Sequence, residues 1–486
     1  MEVELKFQVP AAARARLLRA MATTTARTTR LRAIYVDTAD DRLAAAGLAL
    51  RLRREGPRWV QTLKGHGSDA MQRREHEVAL APMRGTPVID PVRHADSAIG
   101  RELVQLLGDA DLQPRYGTDV QRCQRLVRHA GAVIEVAFDQ GHILAGRSRR
   151  PVCEVEFELK SGPVAALLQL AQIWVQRHGL WLDVRSKSAM GLRLALGVDH
   201  VDAQRSLAPV YAKDAKLGQA LAAMLQATLA QMLPNAAELG GGTGTAEHLH
   251  QWRVAVRRLR SALRLFAPWS ATAELALALE QRWRGPFAVA SAVRDDDAVE
   301  AMLAPVLAAA GLPAIQLDRA DTLDPAMHLA QDPTLTRLVL QTWQLADASA
   351  GAAPVANADT VKAAGRTLLR QYFRRAMKLA PGFAQAASSE QHRLRKRLKS
   401  LRYAVEFLAP ALGGRSRKPY LALCRAVDAL GVWNDLIVAA AWLQRLDVAS
   451  TSAAYARGWV VARQDAAMRD AVSALKKLEA APRFWR

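Results

Sequence analysis

The chain begins with the stretch MEVELKF (residues 1–7), in which charged and apolar side chains alternate. Residues two apart in an extended strand face the same side, so Glu2, Glu4 and Lys6 share one face and the apolar side chains beside them share the other. Taken alone, this pattern is typical of an edge strand with one solvated face. The charged face has a more specific meaning only if other strands carry charges that meet it.

Residues 1–200 continue the pattern in short runs separated by Gly, Pro or Asp turns, with helical patterns near residues 10–22 and 163–178. Several antiparallel strands with few helices predict a barrel or a sandwich. Most runs carry charge on one face, which a barrel with a charged lumen explains better than a sheet exposed to solvent. The runs are IYVDT, LALRLRRE, RWVQTLKG, REHEVAL, AVIEVAFD and CEVEFELK.

The charges on these runs have both signs. Clustered carboxylates in a lumen need cations, and hard oxygen ligands select Mg²⁺ or Mn²⁺, whereas the Arg and Lys side chains need anions. A metal and cationic side chains facing one cavity are suited to phosphoryl chemistry, and the absence of a GxxxxGK[ST] motif excludes a P-loop enzyme. The alternating residues are Arg51 and Arg53, Thr62 and Lys64, Arg73, Glu75 and Glu77, Glu135 and Asp139, and Glu154, Glu156 and Glu158.

The second half of the chain is predicted to be all-helical. Ala/Leu/Arg-rich stretches with helical spacing run from Lys213 to the end and indicate helical bundles. They are interrupted at GGGTGT (240–245), at DASAGAAPVANAD (347–359) and at GGRSRKP (413–419). We therefore expect an N-terminal domain at residues 1–200, a linker at 201–212, and a helical domain at 213–486 made of two repeats, about 213–346 and 360–486.

The two halves of the helical domain contain a repeated basic segment. HQWRVAVRRLRSALRLF (250–266) aligns without gaps to HRLRKRLKSLRYAVEFL (392–408). At about 100° per residue, the shared basic positions fall within roughly 80° of arc on a helix, and the apolar residues lie opposite. We call these positions the basic ridges: His250, Arg253, Arg257, Arg260 and Arg264 in the first copy, and His392, Arg395, Lys399 and Arg402 in the second.

The basic ridges predict a site for a run of phosphates between two helices. Like charges three and four residues apart repel, so a purely cationic ridge built twice is not explained by solubility. Guanidinium groups contact phosphate oxygens in pairs, and neighbouring arginines disfavour a metal at the ridge histidines. As phosphate contacts, those histidines would bind more tightly when protonated, at mildly acidic pH.

A second, weaker match follows each ridge, AVRDDD (292–297) against GVWNDL (431–436). Its polar residues could cap helices or could orient the ridge arginines, and helix capping is the usual role of Asp and Asn near helix starts. The residues concerned are Asp295, Asp296, Asp297, Asn434 and Asp435.

Composition narrows the class of protein and of partner. The formal net charge of +21 over 486 residues implies a polyanionic partner. Single-strand nucleic-acid binders stack bases on interleaved aromatic side chains, and duplex readers usually show a recognisable module. Apart from Phe, the ridge segments contain only Trp252 and Tyr403 as aromatic residues, and neither is repeated in the other copy, which disfavours nucleic acid as the partner. The chain has three cysteines without a CxxC pair, and we expect no signal peptide. The longest apolar stretch (302–315) is too short to span a bilayer. These features predict a cytoplasmic protein without a membrane segment.

The N-terminal motifs EVELK, LRLRR, TLK, REHE and EVEFELK resemble the CYTH domain of the triphosphate tunnel metalloenzymes. The resemblance implies an eight-stranded antiparallel β tunnel that hydrolyses a triphosphate such as tripolyphosphate with Mg²⁺ or Mn²⁺. It implies metal ligands at Glu2, Glu4, Glu154, Glu156 and Glu158, and triphosphate contacts at Lys6, Arg51, Arg53, Lys64, Arg73, Arg122, Arg125 and Lys187. It also implies catalytic roles for Lys6, Glu75 and Glu77, of which the two glutamates would orient a metal-associated water as nucleophile or assist a metal.

The helical half resembles a CHAD domain, because it carries two H-x2-R-x3-[RK]-x2-R blocks. This resemblance implies two pseudo-symmetric helical bundles, binding of inorganic polyphosphate by the basic ridges, and association with polyphosphate granules. The second block departs from the first by carrying Lys399 where its twin has Arg257, which keeps the charge but weakens bidentate contact.

Three functions remain open from the sequence. The leading hypothesis is a metal-dependent inorganic triphosphatase with a polyphosphate-binding helical domain. The second is a non-catalytic polyphosphate-binding protein, and the third is an enzyme acting on an organic triphosphate such as thiamine triphosphate or ATP. All candidate substrates present the same triphosphate tail, so the motifs do not separate them.

Overall fold

The computed structural model describes residues 2–67, 70–81, 85–270, 272–292, 295–315, 323–351, 360–412, 417–445 and 450–484. They divide into two compact units. Unit 1 comprises Met1–Arg205, Leu229–Trp252 and Met327–Gln344, and unit 2 comprises Ser206–Thr228, Arg253–Ala326 and Leu345–Arg486. The domain boundaries proposed from the sequence stay a prediction.

Unit 1 is built around a closed antiparallel β-barrel. Its strands follow the order β5-β4-β3-β2-β6-β7-β8-β1, a β1–β5 pairing closes the ring, and the two-residue β9 adds to β1. The barrel predicted from the alternating runs is therefore confirmed. The strands are β1 (Glu2–Gln8), β2 (Arg27–Asp37), β3 (Leu48–Glu55), β4 (Arg58–His66), β5 (Gln72–Leu80), β6 (Gln113–His129), β7 (Ala132–Ala145), β8 (Ser148–Ser161) and β9 (Trp181–Leu182).

Apolar side chains cover the outside of the barrel, so that the charged faces line its interior. Phe7 of β1 meets Phe157 of β8 edge to face at 5.6 Å, and Phe157 meets Trp174 of the covering helix at 5.4 Å. On the opposite wall, Leu50 and Leu63 pack against a second covering helix, Ala98–Leu107. The sequence patterns did not predict this helix. This is the reverse of a small barrel filled with apolar side chains.

The helical part of the chain contains long helices, as the spacing predicts. Helix bounds are α1 (Arg14–Met21), α2 (Arg42–Ala45), α3 (Ala98–Leu107), α4 (Val164–His178), α5 (Lys187–Leu196), α6 (Leu217–Gly240), α7 (Ala246–Leu265), α8 (Ala273–Arg282), α9 (Arg284–Ala292), α10 (Asp295–Ala309), α11 (Asp324–Gln331), α12 (Pro333–Gly351), α13 (Val361–Met377), α14 (Ser388–Leu412), α15 (Arg417–Arg445) and α16 (Thr451–Ala480), with short 3₁₀ turns at Ala11–Ala13, Pro91–His94 and Ala267–Trp269.

The predicted helix breaks are only partly where we expected them. The break at 240–245 is present between α6 and α7, but the break predicted from residue 347 is helical as far as Gly351. Residues 352–359 and 413–416 lie outside the described ranges. By length and composition α15 is apolar enough to cross a membrane, and 39% of its apolar window is buried in the protein. A single helix of this kind is weak evidence for a membrane span.

The basic ridges lie on α7 and α14, each with its apolar side buried as predicted. Leu259, Leu263 and Phe266 of α7 are fully buried, and so are Leu401 and Leu408 of α14. From Arg253 onward α7 belongs to unit 2, where it is a neighbour of α14. Phe266 packs edge to face on Phe407 of α14, and Arg264 donates a hydrogen bond to Ser400 of the same helix.

Candidate functional site

The barrel of unit 1 encloses a charged cavity of about 1200 Å³. Its lining combines acidic and basic side chains from every barrel strand except β9 and from the start of α5. The structure brings together these residues that the sequence proposed: Glu2, Glu4, Lys6, Arg51, Arg53, Lys64, Arg73, Glu75, Glu77, Arg122, Glu156, Glu158 and Lys187.

One wall of the cavity carries a cluster of three carboxylates. Oxygens of Asp139, Glu154 and Glu156 lie within 4.8 Å of one another. The ammonium of Lys187 is 2.5–2.8 Å from all three, and Arg122 contacts Asp139 at 2.7 Å and Glu156 at 2.5 Å. Although burial opposes ionisation, Lys187 and Arg122 hold the pKa of Glu156 well below its usual range.

The carboxylate cluster depends on the pairing of β7 with β8. The register places Asp139 opposite Glu154, with Glu156 two residues along the same face of β8. Lys187 reaches the cluster because α5 begins there, with Ser186 capping the helix through the amide of Ala189. Asp139 shares a strand face with Glu135, and this alternation is visible in the sequence, but Asp139 was not predicted as a site residue.

A second group of carboxylates lies on β1 and β5. Lys64 is 2.7 Å from Glu75 and 3.4 Å from Glu2, and Arg73 is 3.4 Å from Glu4. Burial, together with a hydrogen bond shared with Glu2, raises the pKa of Glu75. Two carboxyl groups that share a hydrogen bond mark a place where a cation would relieve repulsion.

Cationic side chains of β3 form a third part of the lining. Arg51 donates to the hydroxyl of Tyr35 at 3.2 Å, and Arg53 donates to Glu77 at 3.2 Å. Thr62 also donates to Glu77, at 3.1 Å. Tyr35 stacks on a second cavity tyrosine, Tyr116, and neither tyrosine was identified from the sequence.

Lys6 is held at the end of the cavity nearest β9. Its ammonium donates to Glu154 at 3.1 Å and to the backbone carbonyl of Arg185. Asp183 lies beside it and accepts a hydrogen bond from Gln8 at 3.1 Å. Asp183 and Arg185 were missed because the segment after β9 has no periodic pattern.

Two predicted residues lie differently from the rest. The guanidinium of Arg125 is on the other face of β6, where it lies over the Trp174 ring at 5.7 Å, so the structure places it outside the cavity. Glu154 belongs to the carboxylate cluster but is 4% exposed and is covered by Lys6 and Lys187.

The donor atoms of the cavity fit a hard divalent cation. The carboxylate cluster and the shared Glu2–Glu75 hydrogen bond offer oxygen ligands, which Mg²⁺ and Mn²⁺ prefer. The same carboxylates are neutralised by Lys187, Arg122 and Lys64, side chains that suit phosphate oxygens. The cavity therefore has partners for both a metal and a chain of phosphates.

The basic ridges form a second candidate site, and all of their residues from Arg253 onward lie in unit 2. Arg264 of α7 donates to Ser400 of α14 at 3.0 Å, which joins the first ridge to the helix that carries the second. Burial, with the charges of Arg395 and Arg257, lowers the pKa of Lys399 to about 7. Among the residues that the structure describes, the ridge cations outnumber the acids that contact them, which favours a positive field at the ridges.

Acidic side chains contact the outer parts of the ridges. Arg260 is 2.8 Å from the buried Glu280, and Arg402 donates to Glu406 at 2.9 Å. His392 has its pKa lowered by burial and by Lys396, which moves its protonation to lower pH than usual.

The polar residues of the weaker repeat do not all cap helices. Asn434 and Asp435 lie inside α15, far from its first turn, so capping is wrong for them. Asp435 is 3.7 Å from Arg395, and Asn434 hydrogen-bonds His392. They therefore orient the second ridge. The side chains of Asp295, Asp296 and Asp297 lie outside the described part of the chain.

Comparison with known proteins identifies two families. A CYTH domain model matches residues 1–189 and a CHAD domain model matches residues 223–444. An inorganic triphosphatase from Haemophilus influenzae is 34% identical over 163 residues, which are 33% of this chain and 44% of that protein. The chain thus spans less than half the length of this curated relative.

Solved structures from plants are also similar to parts of the chain. A CHAD domain from Ricinus communis is 26% identical and covers 58% of this chain and 99% of its own, with a TM-score of 0.44. An adenylyl cyclase from Hippeastrum, described as having a dominant triphosphatase activity, is 20% identical and covers 39% and 95%, with a TM-score of 0.30. Because the two family models together match most of the sequence, the chain belongs to the proteins in which a CYTH domain is followed by a CHAD domain.

Proposed function

We propose that the barrel hydrolyses inorganic tripolyphosphate with Mg²⁺ or Mn²⁺, and that the helical domain binds inorganic polyphosphate. The observation that carries the first part is the cavity in which carboxylates and cations converge. The similarity to an inorganic triphosphatase supports it. We also propose that the protein is cytoplasmic and associates with polyphosphate granules.

In this proposal the acidic residues of the cavity bind the metal and the basic residues bind the phosphates. Glu2, Glu4, Glu154, Glu156 and Glu158, with Asp139, hold the metal, which supplies charge neutralisation and polarises phosphoryl oxygens. Positioning and charge stabilisation account for most catalysis of phosphoryl transfer. The side chains that bind and orient the three phosphates are Lys6, Arg51, Arg53, Lys64, Arg73, Arg122 and Lys187.

Glu75 and Glu77 would orient the attacking water. Glu75 is the better general base of the two, because burial and its contact with Glu2 raise its pKa towards neutrality, which favours proton acceptance near the working pH. Glu77 is held by Arg53 and Thr62 and is fixed in orientation.

The substrate assignment is tested by phosphate release from tripolyphosphate, ATP and thiamine triphosphate, each with Mg²⁺ or Mn²⁺. We expect tripolyphosphate to give the highest kcat/KM. Inactivity on all three would leave the non-catalytic polyphosphate-binding alternative. A higher kcat/KM with ATP or thiamine triphosphate would favour the organic triphosphate instead.

Polyphosphate affinity should fall as the pH rises above about 7, the pKa of Lys399. Burial and the neighbouring Arg395 and Arg257 depress that pKa, and a bound phosphate raises it. Binding is therefore strongest below pH 7, where Lys399 is already protonated, and weakens by up to about tenfold per pH unit above it. Isothermal titration calorimetry between pH 6 and 9 measures the decline.

Lys399→Arg is the matched variant, because it copies Arg257 of the first repeat and remains charged throughout this range. It should bind polyphosphate with nearly constant affinity from pH 7 to 9. An equal decline in the variant and the wild type would assign the titration to another group.

A further inference from the structure

Glu238, near the end of α6, is a buried carboxylate that binds two arginines from separate elements of unit 1. It is 1% exposed. Arg193 contacts it in bidentate fashion, at 2.6 and 3.1 Å, and Arg185 is 3.8 Å away. Thr243 donates a further hydrogen bond to it at 2.6 Å. Glu238 and Arg193 belong to none of the sequence motifs described above, yet both arginines are connected to residues of the cavity.

The first connection runs through Arg185 to Lys6. The Arg185 guanidinium binds Asp183 through two hydrogen bonds of 2.9 and 2.8 Å. The backbone carbonyl of Arg185 accepts a hydrogen bond from the Lys6 ammonium, and Asp183 accepts one from Gln8 of the same strand. Fixing the Arg185 side chain therefore fixes the carbonyl that orients Lys6.

The second connection runs through Arg193 to Lys187. Both residues are on α5, six positions apart, which corresponds to about 9 Å along a helix. Lys187 stands at the first position of that helix and binds the carboxylate cluster. Anchoring Arg193 therefore sets the position of α5 and, through it, the ammonium of Lys187.

Gly241, the residue that follows α6, lies close to the guanidinium of Arg185. A Cβ at Gly241 would lie 2.2 Å from one guanidinium nitrogen of Arg185, so only a glycine allows this approach. A side chain at position 241 would therefore have to displace the guanidinium group that Glu238 binds.

We propose that Glu238 is a positioning residue for the cavity, acting through Arg185 on Lys6 and through Arg193 on Lys187. It lies in the segment matched by the CHAD model, whereas the residues it positions lie in the segment matched by the CYTH model. The CHAD sequence therefore contributes to the triphosphate site, and Trp343 from the same sequence lines that cavity. This inference rests on the proposed triphosphatase function.

The test is steady-state hydrolysis of tripolyphosphate by the full chain carrying Glu238→Gln. Loss of one orienting carboxylate typically lowers activity about 10- to 100-fold, and we expect kcat to fall by more than KM rises. Gly241→Ala should act in the same direction by displacing the Arg185 guanidinium without unpairing a buried charge. Thermal unfolding by circular dichroism separates lost activity from lost folding.

Glu280→Gln is the matched control. Glu280 is also a buried carboxylate, 3% exposed, and pairs with Arg260 at 2.8 Å and Arg284 at 3.1 Å, but it lies in unit 2. It should leave tripolyphosphate kinetics unchanged. Kinetics of Glu238→Gln and Gly241→Ala within twofold of wild type would overturn the inference, as would an equal effect of the Glu280 substitution.

Combining Glu238→Gln with Lys187→Ala tests the connection itself. If Glu238 acts through Lys187, the fold-loss of activity in the double variant should be smaller than the product of the two single fold-losses. The reason is that Lys187→Ala already removes the ammonium that Glu238 positions. Fully multiplicative losses would contradict that route.

The outcome also separates this inference from the proposed function. If the wild type does not hydrolyse tripolyphosphate, the proposed function fails, and calorimetric binding of tripolyphosphate then tests the positioning role. Weaker binding by Glu238→Gln than by the wild type would support it, and equal binding would overturn it. A wild type that neither hydrolyses nor binds tripolyphosphate would overturn both proposals.

Discussion

Replacing Glu156 by Gln should lower tripolyphosphate hydrolysis by at least about 100-fold, the loss typical of removing one preorganised charged group from an active site. Glu156 belongs to the carboxylate cluster and contacts both Arg122 and Lys187. The neutral amide would weaken the metal site and would leave two buried cations with less compensating charge. Phosphate release at saturating Mg²⁺ measures the effect, and a Mg²⁺ titration shows how much of it is lost metal affinity.

The control for this prediction is Glu102→Gln. Glu102 pairs with Arg74 at 2.6 Å, but its side chain is 43% exposed on the outside of the barrel. It should change activity less than twofold. Activity of Glu156→Gln within tenfold of wild type, in protein with a normal circular dichroism spectrum, would show that the carboxylate cluster is not the catalytic metal site. Glu2→Gln combined with Glu4→Gln should abolish activity for the same reason.

The sequence was sufficient to predict which face of β1 meets the cavity. Period-2 alternation assigns Glu2, Glu4 and Lys6 to one side whatever the fold, and comparable charge on other strands indicated that this side faces inward. Apolar residues such as Phe7 then had to be covered from outside; Phe7 packs on Phe157, and Trp174 of α4 packs on Phe157 in turn.

Which charges meet across the barrel was not predictable in the same way. Asp139 joins Glu154 and Glu156 because of the β7–β8 register, and a shift of one residue would turn Asp139 to the other face. Arg125 was misplaced because β6 lacks a clear alternating pattern and was not recognised as a strand. Three positions separate it from Arg122, so on a strand the two side chains face opposite ways.

Long-range contacts were equally hidden in the helical half. The ridges on α7 and α14 followed from spacing alone, since helix geometry fixes which residues share a face. The role of Asp435 did not, because helix α15 runs without a break through the segment that resembled a helix start. Glu238 had no local signature at all, since its partners Arg185 and Arg193 are distant in sequence.

Polyphosphate binding should weaken about 100-fold when Arg257 and Arg395 are both replaced by Ala. These guanidinium groups approach each other from α7 and α14, and both lower the pKa of Lys399. Hydrogen bonds to charged groups contribute about 1.5–3 kcal/mol each, so two lost phosphate contacts account for a change of this size or larger. Calorimetry with long-chain polyphosphate at fixed salt measures it.

The salt dependence of binding shows whether those arginines contact phosphates directly. Each phosphate contact adds about one to the slope of log affinity against log salt, so the double variant should lose about two from that slope. Arg370→Ala with Arg374→Ala, on exposed positions of α13, removes the same net charge away from the ridges and should change the slope little. If both double variants lost affinity and slope equally, binding would depend on the overall charge of +21 and not on the ridges. If duplex DNA displaced polyphosphate at comparable concentration, the ridges would be general polyanion sites, because the phosphate spacing alone would then not select the ligand.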